Sequence, residues 1–180
     1  MKVIINGRFL IHRVTGVERY AREILSELDK IIEPESIEMA VPPEVEDIPT
    51  YKNIKVVKVG KLHNRLWEHF SFPWYAHKNK GVSLNLCNVA PLPSPGIVCI
   101  HDVKVKATPQ YFSKKFLLWY DLLLGNATKR ARKIITVSEF SKSEIVKYFK
   151  VNPDKITVIP NAWQHYEKTG YDDDALNKYG

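Results

Sequence analysis

Cysteine is nearly missing from this 180-residue chain: Cys87 and Cys99 are the only two, both sit inside apolar runs, and they form no CxxC pair. That excludes a disulfide framework or a thiolate zinc site. Two reduced, buried thiols in a cytoplasmic protein are expected instead. Long apolar runs are missing too. The longest, Phe116 to Leu124, is interrupted by Asp121 and falls far below the roughly 20 residues that cross a bilayer. The opening MKVIING lacks the length of a signal-peptide core. There is no internal repeat, low-complexity tract or run of five like charges.

Several familiar motifs are absent as well. Neither G-x-G-x-x-G nor a Walker A sequence occurs. The six histidines show no metal-ligand spacing, and no RRM, KH or helix-turn-helix signature is found. No metal, no resident cofactor and no nucleic-acid partner is expected.

What remains is a chain with 44% apolar residues, enough for a proper core, at a length that fits one domain better than two. Its 27 Lys and Arg against 20 Asp and Glu give a net charge of +7. An excess of this size favours anionic partners such as phosphorylated ligands or an acidic membrane surface.

Short apolar runs alternate with helical patterns. Strands are predicted at Lys2–Asn6, Ile37–Val41, Ile54–Val59, Val82–Leu86, Ile97–Ile100, Ile134–Val137 and Ile156–Ile159. Apolar residues at helical spacing from Val17 to Ile31 predict a first helix. A second, Asn64 to His77, should kink or restart at Pro73. A third runs from about Ser113 to Arg132, apolar on every side through Phe116 to Leu124 and so expected in the core. A fourth, Glu139 to Phe149, is capped by Ser138, with Ser141 to Glu144 as a second cap pattern. Continuous apolar strands alternating with helices predict an α/β fold with an open, doubly wound, mostly parallel sheet.

In such sheets ligands bind at the carboxyl ends of the strands. The stretch GIVCIHDVK, residues 96–104, delivers His101 and Asp102 to that rim, where a histidine can bond a ligand oxygen and the aspartate can orient it or cap the next segment. The loop between the first strand and helix carries Gly7 and Gly16, placed where backbone N–H groups can face a phosphate. At the end of the long helix, Lys129, Arg130, Arg132 and Lys133 complement the helix dipole.

Six segments, in order, carry a resemblance: TGVERYAREIL, RLWEHFSFP, LNLCNVAPL, IVCIHDV, IITVSEFSKSEIVKYF and KITVIPNAW. Together they resemble the amino-terminal half of the GT-B glycosyltransferases, in particular the group-1 retaining sugar transferases of the GT4 family. The resemblance implies two Rossmann-like domains facing across a cleft. Residues 1–165 would be the acceptor-side domain, and residues 166–180 the connection to a carboxyl-terminal domain that holds most of the nucleotide diphosphate sugar, a co-substrate rather than a cofactor. This chain alone would then be inactive.

Carried over residue by residue, the resemblance assigns His101 to the transferred sugar, and Gly16 with Val17 to the donor diphosphate. Arg19 matches a recurrent family arginine and is a candidate for the acceptor, with a structural role on the first helix turn as the alternative. Asn88, Asp102, Ser138, Glu139 and Asn161 share the rim and are candidates for the acceptor, with capping or core roles as the alternative. Many relatives carry Gly where this chain has Glu18, Gln where it has His69 and Gly where it has Ala162. The family's E-x7-E motif belongs to the other domain, so Glu27 with Glu35, and Glu38 with Glu46, receive no role.

The expected activity is transfer of a hexosyl unit to a saccharide or lipid-linked saccharide, as in cell-surface polysaccharide synthesis. The expected location is cytoplasmic, peripheral on the inner face of the membrane, with weak anionic-membrane contact through Lys114, Lys115, Lys129 and Arg130. Two rival readings are a sugar-nucleotide epimerase of the same architecture, with Asp102 and Glu139 as its only candidate carboxylates, and a non-catalytic basic module binding an anionic membrane or polymer.

Overall fold

The computed structural model describes residues 2–162. Its centre is a sheet of seven strands, β1 (Lys2–Asn6), β2 (Ile37–Val41), β3 (Lys55–Lys58), β4 (Gly81–Asn85), β5 (Ile97–Cys99), β6 (Lys133–Thr136) and β7 (Ile156–Val158). Every pairing is parallel, in the order β3-β2-β1-β4-β5-β6-β7. These are the seven predicted strands, shifted at their ends by a residue or so. Parallel strands buried on both faces need no polar alternation, which is why they read as continuous apolar runs.

Among the described residues six α-helices accompany the sheet: α1 (Gly16–Ile31), α2 (Asn64–Leu66), α3 (Phe72–Lys78), α4 (Lys104–Ala107), α5 (Lys114–Arg130) and α6 (Glu139–Phe149). Successive side chains of a strand face opposite ways, so neighbouring residues of β1 belong to different layers. Ile5, Met39 and Val41 pack with Ala21 and Leu25 of α1. Ile4 and Ala40 pack with Trp67, Phe72 and Ala76. A third cluster joins Val98, Ile100 and Ile134 to Leu124 and Ala127 of α5 and Ile145 of α6. With helices on both faces, the fold is doubly wound and Rossmann-like.

The second predicted helix does restart at Pro73, but the distortion lies before it: Trp67–Ser71 form a π-helical turn in which Phe72 N–H reaches back to Trp67 O. This absorbs an extra residue, and Pro73 then sits in the first turn of α3, where no N–H is required. Helix α5 is not immersed in the core. It buries Leu123, Leu124, Ala127 and Thr128 but leaves Leu118 75% and Leu122 53% exposed. Ser138 alone caps α6, through Ser141 N–H at 3.0 Å; the Ser141 hydroxyl turns away to donate to His101 O at 2.8 Å. Cys99 is buried but Cys87 only partly so.

Candidate active site

In a parallel sheet all strands end on one rim, and the strand order here reverses between β1 and β4. The crevice at such a switch point is where open α/β sheets take their ligands. A cavity of about 220 Å³ lies there, lined by Asn6 at the end of β1, by Arg8 just beyond it and by Leu86 and Cys87 from beyond β4.

His101 stands two residues beyond β5, on the same rim, and is 9% exposed. Its Nε2 donates to Leu86 O at 2.8 Å, which places the ring proton on Nε2 and leaves Nδ1 as the acceptor. Burial lowers its pKa below the ordinary value, against the raising effects of the Leu86 carbonyl and of Asp102 and Glu18, so the ring is neutral at neutral pH. Tyr20 of α1 meets the ring edge-on, 4.7 Å between centroids. The backbone is pinned on both sides: His101 N–H donates to Asn88 Oδ1 at 2.7 Å, and its carbonyl accepts from Ser141. Asn88 adopts a left-handed φ of 57° to make this reach.

Gly16 opens α1 behind Thr15, and a Cβ built there meets nothing within 4 Å. The close approach at this glycine is therefore available to a ligand and is not used by the fold. Glu18 is turned back onto the helix start: its carboxylate accepts from the Thr15 N–H at 3.1 Å and from the Thr15 hydroxyl. That is a capping-box contact, and it keeps the carboxylate of Glu18 tied to the helix N-terminus. Val17 is half-buried, with its carbonyl 3.7 Å from Cys87 Sγ. Arg19 and Asn161 are exposed and meet Gly16 around a second cavity of about 410 Å³.

The remaining candidates are placed more peripherally. Asp102 is exposed, and its Oδ1 accepts from Lys104 N–H at 2.9 Å. Glu139 is exposed at the start of α6, next to the capping Ser138. Thus the structure gathers His101, Asn88 and Ser138 into one bonded group and Gly16, Arg19 and Asn161 into another. Asp102 and Glu139 join neither through a hydrogen bond of their side chains to a candidate residue. Among the described residues no group of three His, Cys, Asp or Glu is arranged to hold a metal.

Sequence reasoning missed a buried charged cluster beneath the crevice. Glu68, 3% exposed, accepts from Asn6 Nδ2 at 2.9 Å through Oε1, while Oε2 lies 3.1 Å from Arg8 Nη1. Asn6 Nδ2 also reaches Asn85 Oδ1 at 3.0 Å, joining the ends of β1 and β4. His69 is 8% exposed and accepts from Leu92 N–H at 3.4 Å through Nδ1. One signal was available in the sequence: Glu68 lies four residues before Phe72 and eight before Ala76, on the stripe that α3 buries.

The model of a family described as Glycosyltransferase Family 4 matches residues 14–163. The chain belongs to this family. The family 4 region takes in Gly16, the β4 side of the crevice and His101, while the β1 side of the crevice, Asn6 to His12, precedes it. Among curated proteins, the chain is similar to the O-antigen chain mannosyltransferase RfbU of Salmonella typhimurium, 28% identical over 111 residues, 58% of this chain and 31% of that protein. It is also similar to the O-antigen chain mannosyltransferase B of Escherichia coli, 32% identical over 60 residues, 33% of this chain and 16% of that protein. The matches therefore span less than a third of either relative's length. Within the family 4 domain the departures at Glu18 and His69 both have structural accounts: a helix cap and a buried ring bonded to the Leu92 backbone.

Proposed function

We propose that this chain is the amino-terminal, acceptor-side domain of a retaining glycosyltransferase. It would move a hexosyl unit from a nucleotide diphosphate sugar to a saccharide or lipid-linked saccharide, as in cell-surface polysaccharide synthesis. What carries the reading is the family 4 match together with one geometric fact: a buried neutral histidine held on the switch-point rim beside the open start of α1.

In this reading His101 contacts the transferred sugar through Nδ1, an acceptor for a sugar hydroxyl, because Nε2 is committed to Leu86 O. A neutral ring suits that role, since an imidazolium would have no acceptor to offer. The backbone at Gly16 and Val17 approaches the donor diphosphate, helped by the positive end of α1. Arg19 and Asn161 line the neighbouring cavity, and Asn88 with Ser141, itself bonded to Ser138, positions the His101 backbone. A carboxyl-terminal domain beyond residues 166–180, which lie outside the described residues, would hold most of the donor. Catalysis would be electrostatic, by groups aimed at the departing diphosphate.

The same protein would meet a lipid-linked acceptor at the inner face of the membrane. Lys114 and Lys115 are exposed beside the exposed Phe116 and Leu118, a basic and apolar surface suited to an anionic interface. Arg130, at the other end of α5, already donates to Leu92 O and Pro93 O at 3.1 and 2.7 Å. The lysine end of α5 is therefore the better contact. No described helix is long and apolar enough to cross a membrane.

The test is a donor-hydrolysis and transfer screen over nucleotide sugars with the full-length gene product, wild type and His101→Ala side by side. Turnover that disappears with the histidine is the expected result. A folded protein that turns over no donor would overturn the reading.

A further inference from the structure

The cluster beneath the switch-point crevice contains two buried donors left without a hydrogen bond, Arg8 Nε and His69 Nε2, beside Glu68 Oε2, which meets Arg8 Nη1 at 3.1 Å in an ion pair and keeps lone pairs free to accept. Buried polar atoms are almost always paired, and a single orphan often reflects packing. Two orphaned donors that share a space with a buried carboxylate are a different matter. The 220 Å³ cavity adjoins a second of about 170 Å³, and both are walled by Arg8, Glu68, Val89 and Tyr120. His69 and Trp119 line the second.

The chemistry of the three atoms is complementary. His69 Nδ1 accepts from the Leu92 backbone, so the ring proton is on Nε2, a donor facing the cavity. Arg8 Nε is a donor, and Glu68 Oε2 is an acceptor. Two donors and one acceptor around a small space match neighbouring hydroxyls on a ring, each of which both donates and accepts. The aromatic side lets the C–H face of such a ring pack against Trp119 and Tyr120.

Charge and size narrow the ligand further. The Arg8 guanidinium is already opposed by Glu68 at 3.1 Å, and Glu18 also lines the crevice. Arg65 lines the second cavity as well, so two guanidiniums and two carboxylates balance, and the space suits a neutral hydroxyl better than a phosphate whose charge would find no free counter-charge. Both cavities are smaller than the roughly 300–1,000 Å³ of a complete small-molecule site, so they suit a single sugar ring better than a nucleotide. The local backbone is built for the cluster. The π-helical turn Trp67–Ser71 brings the consecutive residues Glu68 and His69 both into the interior while Phe70 stays 61% exposed. Such turns are rare and frequent at functional sites.

We propose that the Arg8, Glu68 and His69 cluster is the seat of the acceptor saccharide, taking one neutral pyranose ring whose hydroxyls bond Glu68 Oε2, His69 Nε2 and Arg8 Nε. This rests on the glycosyltransferase reading for the word acceptor, and on the geometry alone for the saccharide. Water can satisfy the same atoms between turnovers, and a hydroxyl replaces it with equivalent bonds.

The experiment uses ligand-observed saturation-transfer NMR on the full-length gene product, with the methyl pyranosides of mannose, glucose and galactose as probes and inorganic phosphate as competitor. At least one pyranoside is expected to bind. Glu68→Gln is expected to weaken it about ten- to a hundredfold through loss of a bond to a charged group, and Trp119→Ala to weaken it as well. Trp119 is outside the ion pair, so it decides the matter if Glu68→Gln does not fold. Binding unchanged by both variants, no binding of any pyranoside, or full displacement by phosphate would each overturn the seat. The two readings fail separately. A wild type that hydrolyses a nucleotide sugar but binds no pyranoside loses the seat and keeps the transferase. One that binds pyranoside at the cluster but hydrolyses no donor keeps the saccharide seat and loses the transferase.

Discussion

Asn88 Oδ1 accepts the His101 backbone N–H at 2.7 Å, while its own N–H donates to Cys99 O at 3.0 Å. One side chain thereby splices the loop after β4 onto the end of β5 and continues the sheet's bonding for one more residue. Replacing Asn88 with Ala removes the acceptor and leaves the left-handed φ of 57° on a residue that disfavours it. A loss of about 1–3 kcal/mol in denaturant melts is expected, with Asn88→Asp closer to wild type. Equal stability of Asn88→Ala and wild type would show that the splice does nothing.

His101 should make the protein sensitive to mild acid. Burial holds its folded pKa below 6.5. As pH drops below that value the unfolded chain takes up a proton that the folded chain refuses, and stability falls, at most about 1.4 kcal/mol per pH unit for one group. His101→Gln should flatten this arm of a stability against pH curve. His12 and His69 also have lowered values through burial, so a residual slope is expected. An unchanged slope in His101→Gln would contradict the buried neutral ring.

Two glycines should respond in opposite ways to alanine. Gly96 has φ +57°, and a Cβ there would stand 2.2 Å from Ser83 Oγ and 2.3 Å from Ser83 O. Gly96→Ala should lose roughly 2–4 kcal/mol from strain and overpacking. Gly16 has open space around it, so Gly16→Ala should gain up to about 1 kcal/mol from a stiffer unfolded chain. If the donor diphosphate passes this point, the same variant should raise the donor KM in the full-length enzyme. A more stable Gly16→Ala with an unaltered donor KM would remove Gly16 from the site.

Lys114→Glu with Lys115→Glu should release the full-length protein from anionic liposomes in a sedimentation assay at low salt. Reversal of Lys129 and Arg130 should matter less, since the Arg130 guanidinium is held by backbone carbonyls. Equal sedimentation of wild type and the Lys114 and Lys115 variant would end the membrane reading.

The strands were legible because parallel, doubly covered strands write themselves as unbroken apolar runs, and His101 was legible because it follows such a run directly. The exposure of Leu118 and Leu122 was not. An apolar stretch shows what a helix has to bury, but only the arrangement of its neighbours decides which side finds a partner. The turn Trp67–Ser71 escaped for a related reason: Pro73 announces a disruption but not its position. Glu68 and Arg8 were hidden by distance, since the Asn6 to Glu68 bond spans 62 residues: the helical stripe could mark Glu68 as buried but not name its partners. The rim's long-range bonds are tertiary facts, and sequence spacing does not contain them.

The position of β1 in the sheet has a consequence for how the chain is made. β1 pairs with β2 across a short helical excursion, but its other edge waits for β4, with Lys2 opposite Gly81. At a synthesis rate of about 5–20 residues per second that partner reaches the ribosome's exit some 4–16 s after β1. During that interval a β1–α1–β2 unit carries an apolar strand edge that nothing covers, a template for pairing with another nascent chain. Both the crevice and the Asn6 to Asn85 bond are laid across this seam, so the crevice cannot form before β4 docks, and His101 joins it only after β5 has followed.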